Sequence, residues 1–96
     1  MSNLISLNRL EATLKILSDK TRLIILYRLK NSELCVCDIA ETLGISQPAV
    51  SQHLRKMKDL EIIQEEKRGQ WSYYKINQDN VLNDLIQDII DKVELE

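Results

Sequence analysis

The stretch TLGISQPAVSQHL, Thr42 to Leu54, narrows the possible folds more than any other part of the chain. Gly44 ends one helix, because glycine takes the left-handed backbone of helix C-termini at no steric cost. Ser46 is a good N-cap for a second helix, and Pro48 falls in its first turn, where a missing N–H breaks no hydrogen bond. The upstream helix runs roughly from Cys37 to Leu43 and packs through Ile39, Ala40 and Leu43; the downstream one runs from Gln47 to about Leu60. Helix, tight glycine turn and helix make a helix-turn-helix.

The flanks complete one domain over residues 1–96, mainly α with a small β-hairpin. Leu7, Leu10, Leu14 and Leu17 recur at helical spacing, and DKTRLIILYRLK, started by Ser18 or Asp19, extends a second helix to about Lys30. After the helix-turn-helix, at about 37–60, the period changes. EIIQEE and WSYYKI read as two strands joined by Lys67, Arg68, Gly69 and Gln70, a hairpin at about 62–76 in which Trp71 and Tyr73 share a face and cover the core. Beyond Asn77 a wide stripe from Val81 to Val93 predicts a last helix at about 79–93, with more apolar surface than a small monomer usually shows at its terminus. A chain of 96 residues buries only part of the surface it exposes when unfolded, so a second copy is the simplest further support. No apolar run is long enough to span a bilayer, and MSNLISLNRLEATLK lacks a signal peptide's basic start. The expected location is the cytoplasm, with no membrane partner.

The net charge of −2 hides an asymmetry: residues 44–75 carry six basic and four acidic side chains, whereas residues 76–96 carry one and six. The middle of the chain can therefore present a positive face. On the helix after the turn, Val50, Leu54 and Met57 mark the buried side; Ser51, Gln52 and Arg55 lie opposite, with Gln47 and Lys56 on the flanks. Gln and Arg can each make paired hydrogen bonds to a purine edge in the major groove, while Ser and Lys more often hold phosphates. With Lys67 and Arg68 at the hairpin tip, this face predicts binding to double-stranded DNA. His53 falls beside the core and is expected to pack or hydrogen-bond rather than read bases. It leaves no obvious general base, and no phosphate loop or C-x-x-C at a strand–helix junction is present, so an enzyme is not expected.

Both cysteines stand in ELCVCD, one residue apart. In a reducing compartment they are expected to be free thiols that bind a metal ion or react. Residues two apart in a regular helix point about 160° away from each other, so Cys35 and Cys37 can chelate together only where the backbone is extended or irregular. A site using both would then compete with the start of the third helix for the same backbone. Proximity to a helix N-terminus favours the Cys37 thiolate, the form a soft ion requires. A disulfide between them would close a small ring that suits a reactive switch.

LSDKTRLIILYRL, ELCVCDIAETLGISQPAVSQHLRKM and a hairpin ending in WSYYKI together resemble the ArsR/SmtB family of metal-responsive repressors, over about Leu14 to Ile76. The resemblance implies a homodimeric winged helix-turn-helix. Its wing would be the hairpin, its dimerisation helices would lie at about 6–17 and 79–93, and operator DNA would be released on ion binding. It places the metal ligands at Cys35 and Cys37. Ala40 stands where some arsenic-sensing relatives carry a third cysteine, and residues 77–96 hold no histidine for a zinc-type site on the last helix. Arsenite or antimonite is the expected inducer, with no cofactor needed for folding; the alternatives are a dithiol redox sensor or a cadmium- or lead-sensing repressor of the same fold.

Overall fold

All the described helices but the last begin where a side chain accepts from an N–H group that no preceding turn can reach. In the structure, a computed structural model that describes residues 4–95, Ser6 accepts from the Arg9 N–H at 3.1 Å to open α1 (Leu7–Leu17). Asp19 accepts from the Arg22 N–H at 3.0 Å to open α2 (Lys20–Leu29). A two-residue strand, β1 (Leu34–Cys35), leads directly into α3 (Val36–Leu43). Gly44, with φ 69°, ends α3, its N–H donating to the Ala40 carbonyl at 2.9 Å. Ser46 accepts from the Ala49 N–H at 3.3 Å and opens α4 (Gln47–Asp59), with Pro48 in the first turn. The hairpin of β2 (Ile63–Arg68) and β3 (Trp71–Ile76) follows, and α5 (Asn83–Ile90) comes last.

The strands pair antiparallel in the order β1-β3-β2, so the wing hairpin gains a third strand from the segment before α3. Leu34 lies opposite Tyr74 and Cys35 opposite Tyr73. This register corrects the expected inner face of β3. Tyr74 is buried, whereas Trp71 is 53 % exposed and Tyr73 half-buried. Alternation along the strand turns Tyr74 toward the core, and Trp71 sits at the hairpin tip beyond the core's reach. The core itself lies between α2, α3, α4, the sheet and α5, with Ile25, Leu26, Ile39, Leu54, Met57, Ile62, Ile63 and Ile90 almost wholly excluded from water.

The last helix is shorter than the apolar stripe suggests. Asn77 Oδ1 accepts from the Asp79 N–H at 3.1 Å and Asn80 Oδ1 from the Leu82 N–H at 2.8 Å. These side-chain turns capture N–H groups that an earlier helix start would need, so the chain stays in turns until Asn83. Apolar side chains remain uncovered on both terminal helices: Leu7 and Leu14 on α1, and Leu85 and Ile89 on α5.

Candidate nucleic-acid interface and thiol site

Docking of α4 through Val50, Leu54 and Met57 fixes which of its side chains face water. Gln47, Ser51, Gln52, Arg55 and Lys56 are all exposed on its outer side, as is Lys67 on the wing. Among the described residues, Arg55, Lys56 and Lys67 have no carboxylate partner, so their charge is available to an external anion. Other cations are engaged: Lys58 meets Glu65 at 3.0 Å, and Arg22 lies 3.7 Å from Asp19. His53 is half-buried, with Nδ1 3.4 Å from Arg22 Nη1, and the Arg22 Nε–H donates to the Ile16 carbonyl at 2.7 Å. It thus seats α4 against α2 and takes no place on the exposed face.

Arg68 lies on the wing with the other expected contacts, but its guanidinium is already occupied. One edge meets Glu33, with Nη1–Oε1 at 2.6 Å and Nη2–Oε2 at 2.9 Å. The other edge meets Glu66, with Nε–Oε1 at 3.2 Å and Nη2–Oε2 at 3.1 Å. Its carbon sits 4.7 Å from the centre of the Tyr73 ring. Hydrogen bonds from Arg68 hold the Glu66 carboxyl below the usual carboxylate range.

At Cys35 the local backbone answers the geometric difficulty of two thiols one residue apart. Cys35 is the N-cap of α3, with φ −86° and ψ 165°, so it stands outside the helix while Cys37 is within its first turn. The extended residue swings its side chain toward that of Cys37, and the structure joins the two in a disulfide with a Cα–Cα distance of 5.4 Å. Two sequence expectations are thereby corrected: the cysteines are bonded rather than free, and their sulfurs meet while the start of α3 is intact. Asp38 completes a capping box. Its N–H donates to Cys35 Sγ at 3.3 Å, and its carboxylate accepts from the Cys35 N–H at 3.4 Å. The two sulfurs and an Asp38 oxygen all lie within 4.8 Å of one another. The donor set is dominated by sulfur, which suits a soft ion once the cysteines are reduced.

A cavity of about 260 Å³ links the two halves of the site. Cys35 and Cys37 form one wall, Gln47 and Ser51 of α4 a second, and Trp71 and Ser72 of β3 a third. Sequence reasoning placed sulfurs and reading residues on separate elements and missed that they share this space. No local signal marks it, because the two-residue strand that carries Cys35 exists only through its pairing with β3.

Comparison with known proteins identifies the family and the fold. Residues 19–65 match the family described as "Bacterial regulatory protein, arsR family". The arsenical resistance operon repressor of Staphylococcus aureus is 40% identical over 88% of this chain and 80% of its own. The cadmium resistance transcriptional regulatory protein CadC of Listeria innocua is 43% identical over 72% of this chain and 59% of its own. The solution structure of the homodimeric winged helix-turn-helix DNA-binding domain Mb0332 from Mycobacterium bovis superposes with a TM-score of 0.76 at 28% identity, covering 90% of this chain and 82% of that one. No helix among the described residues is long and apolar enough to cross a membrane. The chain belongs to the arsR family and is a winged helix-turn-helix transcriptional regulator, not an enzyme.

Proposed function

We propose that the protein represses transcription as a cytoplasmic homodimer bound to operator DNA, and that capture of a thiophilic ion by reduced Cys35 and Cys37 releases it. The observation that carries this reading is the shared cavity, lined by Cys35 and Cys37 together with Gln47 and Ser51 at the start of α4. Gln47, Ser51, Gln52 and Arg55 read base edges, and Lys56 and Lys67 hold phosphates. Release does not require α3 to unwind. Cys35 Sγ caps the Asp38 N–H while Cys35 is paired in register with Tyr73 of the wing. Any change in what the sulfur binds therefore reaches the α3 cap and the wing together.

Arsenite and antimonite fit the site best. Each accepts thiolate ligands in a three-coordinate arrangement, and this chain offers two sulfurs on one wall of an open cavity. A coupling of about 1–3 kcal/mol between the two sites lowers operator affinity roughly 5- to 150-fold. The test is a titration of arsenite into the reduced protein bound to a labelled duplex recovered by in vitro selection. Affinity should fall in the wild type and hold in a Cys35→Ser/Cys37→Ser variant. Equal behaviour of the two would remove the sensor role.

The disulfide favours one second reading, in which oxidation of the dithiol itself releases DNA. Peroxide or polysulfide would then dissociate the complex when arsenite does not.

A further inference from the structure

We propose that Arg68 is a positioning residue that ties the wing to the thiol-bearing strand, and that Lys67 supplies the wing's phosphate contact. The inference rests on the operator-binding and ion-release reading above.

Three observations carry it. Both edges of the guanidinium are forked by carboxylates, Glu33 on one and Glu66 on the other, so the two rows of hydrogen-bond donors that would grip a phosphate are taken. The two carboxylates offset the guanidinium charge, so Arg68 has little attraction left for a phosphate. Successive strand residues point to opposite sides, so Lys67 faces away from this cluster and keeps its charge unpaired among the described residues.

The same contacts run toward the sulfurs. Glu33 precedes Cys35 by two residues at the entry to β1, and Tyr73, on whose ring Arg68 stacks, is the cross-strand partner of Cys35. Arg68 therefore reaches the thiol-bearing segment directly, by charge through Glu33, and stacks on the β3 residue that pairs with Cys35. Isolated exposed ion pairs contribute little, but a two-edged bidentate fork is the geometry in which they fix orientation. When the environment of Cys35 changes, this tie carries the change to the wing tip and so to Lys67.

The test is operator affinity of the reduced full-length protein over a salt series, with and without arsenite, for the wild type, Lys67→Gln, Arg68→Gln, Arg68→Lys and Glu33→Gln. Removing one side chain that neutralises a phosphate flattens the log affinity against log salt slope by about 0.9. Lys67→Gln should flatten it by about that much and also weaken the arsenite response, because the tie acts on DNA through that contact. Arg68→Gln should keep the wild-type slope while shrinking the arsenite-induced loss of affinity about two- to thirty-fold. Arg68→Lys keeps the charge but cannot make the fork, so it should behave as Arg68→Gln does, and Glu33→Gln should reproduce the weakened response.

A flattened slope in Arg68→Gln that Arg68→Lys restores would overturn the proposal and make Arg68 a phosphate-binding residue. A full arsenite response in Arg68→Gln would overturn it equally. Failure of the wild type to bind the duplex, or to release it with arsenite, would instead remove the parent reading, and that arm needs no variant.

Discussion

Glu61 is the only residue other than glycine with a positive φ among those described, at 59°. It turns the chain sharply out of α4 into β2, and its carbonyl accepts from the side-chain amides of Asn77 and Asn80, each at 2.9 Å. Its carboxylate meets Arg9 at 3.1 Å in an exposed pair. Glycine and alanine would both lose that pair, but only alanine would keep the steric cost of the left-handed backbone. Glu61→Gly should therefore be more stable than Glu61→Ala by about 1 kcal/mol in urea unfolding, and equal midpoints would show the backbone to be unstrained.

Burial and the neighbouring Glu65 charge push the Tyr74 hydroxyl up to about 12. An unfolded tyrosine releases its proton near 10, so between these values the folded state binds more protons and stability falls as pH rises. Tyr74→Phe should remove that alkaline slope from a pH series of thermal melts. The Asp19 and Glu65 carboxyls move the opposite way. The Arg22 N–H bond chiefly lowers the first, and the Lys58 and Ser72 hydrogen bonds chiefly lower the second. Their contribution is complete above the ordinary carboxylate range and is lost as pH falls through their lowered values.

At the scale of the element, helix starts and stops are set by single side chains, which makes them legible. Gly44, Ser46 and Pro48 specify the turn between α3 and α4 through conformations that hold in any context, and Asp19 does the same for α2. Ser46→Ala should cost about 1 kcal/mol of stability and weaken operator binding, since α4 presents the proposed reading residues from its first turn. A variant with an unchanged melting temperature would show that Pro48 and packing suffice. What sequence reasoning missed depends on distant partners. The strand character of Leu34 and Cys35 exists only because Tyr73 and Tyr74 lie beside them, and two residues carry no periodicity of their own. Likewise the face of β3 that turns inward is decided by register against β2, which placed Tyr74 inside and Trp71 out. The cysteines were legible as a pair, but their convergence needed the cap geometry of Cys35.

For the whole molecule, the uncovered apolar side chains gather on the two terminal helices, with Leu14 and Leu85 each half exposed. In the homodimer we propose, a second copy covering these helices would set the distance between two reading heads, as half-sites one helical turn apart on duplex DNA require. Leu85→Glu together with Ile89→Glu places charge on that surface without touching the buried Ile86 and Ile90. Sedimentation should then report a folded monomer, with operator affinity reduced at least tenfold. A variant that still sediments as a dimer would move the subunit contact elsewhere on the molecule.

The indole that borders the sulfur-lined cavity belongs to the chain's single tryptophan. The protein thus carries its own optical gauge at the place where the proposed sensing and reading residues meet. Reducing the cystine, loading the dithiol and docking on a duplex should each change the colour or brightness of one emission band, so all three events can be timed in a single cuvette without a dye. A spectrum indifferent to all three would mean that Trp71 looks outward and never feels the sulfurs behind it.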